Sequence, residues 1–535
     1  MSAVSTELRD LLSDPVLIDP RRPTRDPWYL GVSGFVAALV VAHHTLFSNG
    51  IIVGDAFSRV LSAYYVFLRP HPHFAAIGFV WNPLPSLLEV PLTLLHRWWP
   101  SLVVQGFAGN IVSAAFYGIG LANLYRALHW LRVPRWLRWT WTVIYALNPM
   151  ILWYGANGMT DGMLAAALLG MTEGLLAYFE TDAVSDLARS GIWLAVGFLL
   201  RYEAVPVAAF AGLGLIGALV RRGRSRAYIE GMLLVFELPI VYMAGIWMFT
   251  NWLIMKNPLY FLLSPYGNAS QTLTGVYENA LTRFARAHLW NAIQVSVHWT
   301  FLFVPVIFGI LGALIGQLSG SRRAGLPLIG AAAGAPMLQV ILLYLGRSAD
   351  WARFFLYYIP FGFVLVALSV QDIGKRFRIF AVVLATGLLI VGNWTTWRAL
   401  RNPVWGNGDY AYVSDIVHGQ RVHPFVQDEQ ISRYINAHPH LKVLIDTFTS
   451  FDVVPYVKNP NQFVITADLN FQSALLNPLG QVNAFLVPEP SGTGKLNAIN
   501  RTYPGLWAGK VPWTKLIATF PGTAYRLYAI LPDAP

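Results

Sequence analysis

One carboxylate and one guanidinium follow the first long apolar run of the chain. Asp55 and Arg59 stand four residues apart in the stretch GDAFSR, residues 54–59, among aliphatic and aromatic neighbours. A carboxylate that faces apolar surroundings needs a charged partner or a chemical role, such as that of a general base. Two interpretations follow: a helix cap or local i,i+4 ion pair worth about 0.3–0.5 kcal/mol, or a catalytic Asp55.

Three further carboxylates lie close to apolar segments. They are Glu89 in WNPLPSLLEVPL, Asp161 in NPMILWYGANGMTDGM and Glu203 in LRYEAVP. Asp161 stands where a helix is expected to begin, so its side chain could simply cap that helix. If these carboxylates and Asp55 instead converge on one apolar-walled cleft, they would supply a general base and a site for a cation or an acceptor.

Basic side chains at the ends of apolar segments are candidate phosphate ligands. Arg347 and Arg353 bracket Asp350 in LGRSADWARFF, and guanidinium groups bind phosphate bidentately. Lys256, in NWLIMKNPLYFLLSPY, is a further candidate. The alternative for the two arginines is that they extend to lipid headgroups, with a tryptophan as the interfacial anchor.

A metal site is a further interpretation of the polar residues. His71 and His73 flank a proline in the same loop as Asp55, and they are either solvated loop residues or metal ligands. The candidates for a divalent cation, Mg²⁺ or Mn²⁺, are Asp55, Asp161 and His73. Oxygen ligands suit these ions, but the residues do not by themselves require one.

Composition places these residues in a membrane protein. The chain has 535 residues, of which 55% are hydrophobic and 12% charged, whereas soluble domains carry about 25% charged residues. The net charge of +11 lies in short clusters between apolar spans, which favours topology signals over a nucleic-acid surface. The sequence has no cysteine, so disulfides, thiolate metal sites and a cysteine nucleophile are excluded. It also lacks the P-loop, HExxH and GxSxG patterns of soluble nucleotide, zinc and serine chemistry.

The basic clusters predict the topology. Placing RRPTR, Arg126 to Arg138, RRGRSR, SRR and KRFR on the cytoplasmic side requires residues 190–220 to cross twice, as short passes at 190–201 and 204–220. The chain then makes about eleven passes, with a cytoplasmic N-terminus and an external C-terminal domain. The expected spans are 28–48, 101–123, 139–156, 162–180, 190–201, 204–220, 230–250, 299–318, 325–345, 353–371 and 378–397.

The same topology predicts three parts. Residues 1–27 form a cytoplasmic tail, residues 28–398 a mainly α transmembrane domain with long outer loops at 49–100 and 251–298, and residues 399–535 a small external α/β domain. Short helices lying at the membrane interface are expected at 80–95, because prolines interrupt this apolar segment. We therefore expect any elaborate site on the external face of a multi-pass plasma-membrane or inner-membrane protein.

The order of these motifs resembles a known family. GDAFSR, GFVWNPLPSLLEVPL, NPMILWYGANGMTDGM, LRYEAVP, NWLIMKNPLYFLLSPY and RFFLYYIPF are similar to segments of the polytopic GT-C glycosyltransferases. The similarity is to bacterial proteins like protein O-mannosyltransferases and to the aminoarabinose transferases that modify lipid A. It departs from the former at Ala56, where a second acidic residue is usual, and at WNPLPSLL, which replaces a His-Pro-Pro pattern.

The resemblance implies an activity. Such enzymes use a polyprenyl-phosphate sugar on the extracytoplasmic side, and Asp55 matches the position of their essential acidic residue. We therefore predict transfer of a mannose- or arabinose-type sugar to a glycan, lipid or protein acceptor, with Asp55 as the general base. The competing interpretation is a lipid or polysaccharide transporter or flippase, but the sequence shows no internal repeat of the kind that transporters have.

In this prediction the remaining polar residues divide by charge. Carboxylates are assigned to the acceptor or a cation, and cations to the departing phosphate. The first group is Asp161, Glu89 and Glu203, and the second is Arg59, Arg347, Arg353 and Lys256.

Overall fold

The computed structural model describes residues 24–69, 71–320 and 324–534, so most of the 1–27 tail and the cluster at 321–323 lie outside the described residues. The first part of the chain is helical. Its helices are α1 Asp26–His43, α2 Gly54–Leu68, α3 Leu84–Thr93, α4 Ser101–Val104, α5 Phe107–Trp130, α6 Arg135–Ala146, α7 Pro149–Ala156, α8 Thr160–Thr181, α9 Val184–Leu200, α10 Ala204–Arg221, α11 Arg226–Met255, α12 Tyr260–Leu263, α13 Asn268–Leu273, α14 Ala280–Ala285, α15 Leu289–Thr300, α16 Val304–Leu318, α17 Gly325–Tyr344, α18 Tyr358–Asp372 and α19 Arg378–Leu400.

Within the described residues, eight helices are long and apolar enough to cross a membrane, or nine if the bent pair α15 and α16 counts as one span. The other expected spans are also helical but shorter or broken. Residues 139–156 are divided between α6 and α7, because Pro149 begins a new helix that Asn148 caps. The short pass expected at 190–201 belongs to helix α9. This helix has 17 residues and begins before the apolar stretch, at Val184. The polytopic helical fold is therefore confirmed.

Burial separates central from peripheral helices. Helix α8 buries 94% of its most apolar window inside the protein, whereas α11 buries 22% and α19 28%. An apolar helix that leaves most of its surface uncovered needs an apolar solvent. Helices α11 and α19 therefore lie at the lipid-facing periphery, and α8 lies in the centre of the bundle.

The C-terminal part contains the sheet. Its strands β1 Val443–Ile445, β2 Phe463–Ile465, β3 Ala484–Pro488, β4 Thr514–Thr519 and β5 Tyr525–Ile530 are ordered β2-β1-β3-β5-β4. Strand β1 is parallel to β2 and β3, and β5 is antiparallel to β3 and β4. The helices of this part are α20 Gly408–Val417, α21 Glu429–Ala437, α22 Thr447–Ser450, α23 Phe471–Leu476 and α24 Ala498–Thr502. The predicted small α/β unit is confirmed, and the sheet ends in an antiparallel hairpin of β4 and β5.

The sheet packs against helix α2. Apolar side chains of α2, among them Phe57 and Leu61, share one buried cluster with residues of β1, β2 and β3. At the other end of the helix, the buried Arg69 binds both oxygens of Asp468, at 3.0 and 2.6 Å. The C-terminal part therefore fixes the helix whose first turn carries Asp55 and Arg59.

Candidate active site

The two charged residues near the start of α2, Asp55 and Arg59, lie in different surroundings. Val53 precedes the helix in an extended conformation, and the Asp55 side chain is 52% exposed, whereas Arg59 is 7% exposed. Arg59 Nη1 donates to the backbone carbonyl of Asp55 at 3.1 Å, and the Asp55 carboxylate lies 3.6 Å from Arg353. The alternative of a local Asp55–Arg59 ion pair is therefore wrong, because Arg353, almost three hundred residues away, provides the partner.

Asp55 faces a cavity of about 250 Å³, which we name the Asp55 cavity. Its charged residues are Asp55, Arg353 and Asp409, and the rings of Trp351 and Tyr412 complete much of the wall. The guanidinium of Arg353 lies 4.0 Å from the Trp351 ring. Arg353 and Trp351 are thus turned into the protein, which contradicts the alternative that they reach for lipid headgroups.

Arg59 faces a second, larger cavity of about 380 Å³, which we name the Arg59 cavity. One part of its lining is charged and the other is apolar. The charged residues are Arg59, Arg201, Glu203 and Arg347, and the apolar ones include Phe261, Leu262, Leu263, Leu338 and Leu342. An anionic group on an apolar chain would find complementary surroundings here.

The two cavities adjoin. Met159 lines the Asp55 cavity and the next residue, Thr160, lines the Arg59 cavity. Likewise, Arg353 lines the Asp55 cavity and the next residue, Phe354, lines the Arg59 cavity. Arg59 Nη1 lies 3.9 Å from the Met159 sulfur, so these side chains form part of the partition. The two cavities therefore lie on either side of these side chains, next to helix α2.

Arg201 joins two of the predicted carboxylates. It binds Asp161 at 3.0 Å and Glu203 at 2.5 Å. Asp161 is fully buried and makes no cap hydrogen bond, since the residue before the helix is Met159. The cap interpretation of Asp161 is therefore wrong. The ion-paired group holds the N-terminal ends of α8 and α10 together and leaves Arg201 with little free positive charge.

Glu89 is fully buried beside Arg59. Neither of its carboxylate oxygens has a hydrogen-bond partner among the residues that the structure describes. Burial raises the pKa of Glu89 well above its usual range, and the nearby Arg59 opposes only part of that rise. A protonated Glu89 leaves the positive charge of Arg59 available to an anion in the cavity.

Asp409 belongs to the site although the sequence interpretation missed it. It lies in the first turn of α20, where it accepts hydrogen bonds from the Trp153 indole at 3.1 Å and from the Tyr154 hydroxyl. Burial raises the pKa of Asp409, and Arg353 opposes the rise. The signal was a carboxylate in GNGDY, close to the outer end of the last expected span. It was overlooked because it was assigned to the soluble domain.

Other predicted residues lie elsewhere. Lys256 lines neither cavity, is exposed and donates to the Leu253 carbonyl at 3.0 Å. His73 contacts the carbonyls of His71 and Ala467, beyond the far end of α2. The described part of the chain brings no three His, Asp or Glu side chains together for a metal ion. The set Asp55, Asp161 and His73 is therefore not assembled as a cation site.

Asp350 does not stand between Arg347 and Arg353 as their partner. Its Oδ1 accepts a hydrogen bond from the buried Trp299 indole at 2.6 Å. Arg347 instead lines the Arg59 cavity, whereas Arg353 lines the Asp55 cavity. The two arginines therefore serve different compartments of the site.

No protein-family model matches the chain, and no curated protein matches it. Solved structures do. The chain is similar to the structure of ArnT from Cupriavidus metallidurans bound to undecaprenyl phosphate, with a TM-score of 0.51 and 13% identity over 94% of this chain and 98% of the other. The apo structure of that protein gives a TM-score of 0.50 and 14% identity over 93% and 97%.

The oligosaccharyltransferase of Archaeoglobus fulgidus, in its apo form, gives a TM-score of 0.44 and 12% identity over 95% of this chain and 76% of the other. At such identities the similarity to the ArnT structures establishes the fold, and it extends over nearly the whole of both chains. The chain therefore has the fold of the ArnT structures, one of the two families that its sequence motifs resemble.

Proposed function

We propose that the protein is a membrane glycosyltransferase that moves a sugar from a polyprenyl-phosphate donor to an acceptor hydroxyl, with Asp55 as the general base. The observation that carries the proposal is the position of Asp55. Its carboxylate lies in a cavity that also holds Asp409 and Arg353, while Arg59, one turn along the same helix, lines a neighbouring cavity that is charged on one part and apolar on the other. An acceptor and a lipid-linked donor need such a pair of compartments.

The Arg59 cavity suits the donor. Arg59 and Arg347 provide positive charge for a phosphate, whereas Arg201 is already paired with two carboxylates. The apolar wall continues to the surface, where Leu262 and Leu263 are 49% and 65% exposed. A polyprenyl chain can therefore extend from the cavity towards the surrounding lipid. The ArnT structure of the same fold holds undecaprenyl phosphate, which supports this class of donor.

The reaction assigned to the site is a direct displacement. An acceptor hydroxyl in the Asp55 cavity attacks the anomeric carbon of the sugar, and Asp55 takes the hydroxyl proton. The bond between that carbon and the phosphate oxygen breaks, and its electron pair leaves with the polyprenyl phosphate. Arg59 and Arg347 stabilise the charge of this leaving group, and Arg353 orients the Asp55 carboxylate.

The candidate cation ligands are not assembled among the described residues, so no step here uses Mg²⁺ or Mn²⁺. The sugar is the mannose or arabinose type that the sequence resemblance implies. We place both cavities on the extracytoplasmic side, with the N-terminus in the cytoplasm, because this orientation satisfies the basic clusters.

The test is an assay of the purified protein with a panel of polyprenyl-monophosphate sugars, carried out in liposomes that contain an acceptor extract. We expect one donor to release free polyprenyl phosphate in step with sugar transfer. Arg347→Gln should raise the KM for the donor roughly 10- to 100-fold, since a charged hydrogen bond is lost, and Lys256→Gln should leave it unchanged. Movement of lipid across the bilayer without release of polyprenyl phosphate would instead establish the transporter interpretation.

A further inference from the structure

We propose that the acceptor presents an uncharged sugar ring and that Asp409 is a second acceptor-binding carboxylate, opposite the general base. This inference rests on the proposed function and concerns the other half of the reaction. It assigns the Asp55 cavity to a neutral glycan, with the rings of Trp351 and Tyr412 as further contacts.

Charge is the first reason. The cavity contains the carboxylates of Asp55 and Asp409 but a single guanidinium, that of Arg353. Arg353 already lies 3.6 Å from the Asp55 carboxylate. Its positive charge also interacts with the Asp409 carboxylate. A phosphate or carboxylate on the acceptor would therefore meet net negative charge. The cavity selects against anionic acceptors, in contrast to the arginine-rich Arg59 cavity.

Hydrogen-bonding capacity is the second reason. Ionised carboxylates accept hydrogen bonds and donate none, so they need O–H or N–H groups opposite them. Each oxygen of Asp409 accepts one hydrogen bond, from Trp153 or Tyr154, and these partners are 5% and 0% exposed. Because a carboxylate oxygen can accept two, Asp409 keeps capacity on both while its orientation is fixed. This is a supported binding group and not a loose surface charge.

The cavity wall also includes two aromatic rings, those of Trp351 and Tyr412. Tyr412 lies on the same helix as Asp409. Its ring packs beside that of Trp153, with the ring centroids 5.9 Å apart. Ring surfaces bind the apolar C–H faces of a sugar, while carboxylates receive its hydroxyl groups. The volume of about 250 Å³ is close to the lower end of the range of small-ligand sites. A sugar ring satisfies the charge, the acceptor groups and the rings together.

The test uses the full-length protein with its polyprenyl-phosphate sugar in a detergent without a sugar headgroup. The acceptors are linear neutral hexose oligosaccharides, the same oligosaccharides carrying a 6-phosphate, and a Ser/Thr-rich peptide. We expect transfer to a neutral oligosaccharide, with kcat/KM at least about tenfold lower for its phosphorylated form. Preference for the phosphorylated form, or transfer to the peptide alone, would overturn the proposal.

Variants of one helix separate binding from structure. Asp409→Asn should raise the KM for the acceptor roughly 10- to 100-fold and leave the KM for the donor unchanged, because it weakens hydrogen bonds to one substrate only. Asp415→Asn removes the same charge from the same helix outside both cavities, and its kinetic constants should equal those of the unmodified protein. An Asp409→Asn protein with an unchanged acceptor KM, or with donor and acceptor KM raised alike, would contradict the assignment.

Failure of this inference is distinguishable from failure of the proposed function. Slow hydrolysis of the donor, measured as free polyprenyl phosphate without any acceptor, reports on the donor site and Asp55 alone. If hydrolysis occurs but no neutral oligosaccharide is glycosylated, the acceptor proposal is wrong and the donor chemistry stands. If no donor of the panel is cleaved with any acceptor, the proposed function itself is wrong.

Discussion

Arg69 connects helix α2 to the C-terminal sheet, and its replacement by methionine should lower the stability of both the helix and the sheet. The side chain is 1% exposed and makes four hydrogen bonds. Two reach Asp468, at 3.0 and 2.6 Å, and two reach the carbonyls of Pro460 and Phe463, each at 2.8 Å. Methionine retains the apolar stem but leaves all of these acceptors without their donor.

The expected magnitude follows from burial. Removing one partner of a buried ion pair costs about 3–5 kcal/mol, because the other charge stays desolvated. Exposed pairs of similar length contribute about 0–1 kcal/mol. The pair Arg132–Glu180 is a matched control, since its distance is 2.8 Å but its arginine is 63% exposed. Arg69→Met should therefore be several times more costly than Arg132→Met.

Hydrogen exchange measures this cost locally. For Arg69→Met we expect the amides of β1 and β2 to exchange roughly 100- to 4000-fold faster, the factor that corresponds to about 3–5 kcal/mol. Arg132→Met should change the same amides less than about fivefold. Sugar transfer should also slow, because α2 carries Asp55. Equal exchange in the two variants would refute the view that this ion pair anchors the sheet to α2.

Three further predictions concern other parts of the structure. Arg201→Met leaves the fully buried Asp161 without its ion pair, so we expect a loss of about 3–5 kcal/mol in thermal unfolding, part of which Asp161→Asn in the same chain should restore. Burial raises the pKa of Asp350 to about 7 from 3.8, so the native protein bears a cost of up to about 4 kcal/mol above pH 7, and this cost shrinks gradually as the pH falls from 7 towards 3.8. Thermal unfolding at pH 5.5 and 8.5 should show stability falling with rising pH, and Asp350→Asn should remove that part of the dependence. A methyl group at Gly118 would lie 2.3 Å from a carbonyl oxygen of α1, so Gly118→Ala should lower the unfolding temperature, whereas Gly231→Ala, with open space around it, should not.

The membrane part was predictable because hydropathy and charge act locally. Runs of apolar residues fix where helices can cross, and the basic clusters fix how many crossings are needed. The break at LRYEAVP is a case in point, since α9 ends and α10 begins there as expected, whereas the double passage through the membrane stays a prediction. Interrupted spans were harder to predict from the sequence, because Asn148 and Pro149 break a segment whose average hydropathy does not change.

Pairings across the chain could not be predicted. Asp55 pairs with Arg353, and Asp161 pairs with Arg201. The partners are so far apart in the sequence that no helix or strand periodicity predicts the pairs. Sequence spacing suggested local partners for both, and tertiary packing provided others. Asp409 was missed for a related reason: α20 folds back onto α7, through its bonds to Trp153 and Tyr154, although its chain position belongs to the C-terminal part.

The most direct test of the account is the rate of sugar transfer by Asp55→Asn. Removing a general base should lower kcat about 10²- to 10⁴-fold, while donor binding and the unfolding temperature stay as they were. Asp182→Asn is the matched control, because Asp182 is 50% exposed, also pairs with arginines and lies in neither cavity. We predict near-normal transfer by Asp182→Asn and almost none by Asp55→Asn. A correctly folded Asp55→Asn protein that transfers sugar at the unmodified rate would contradict the central claim.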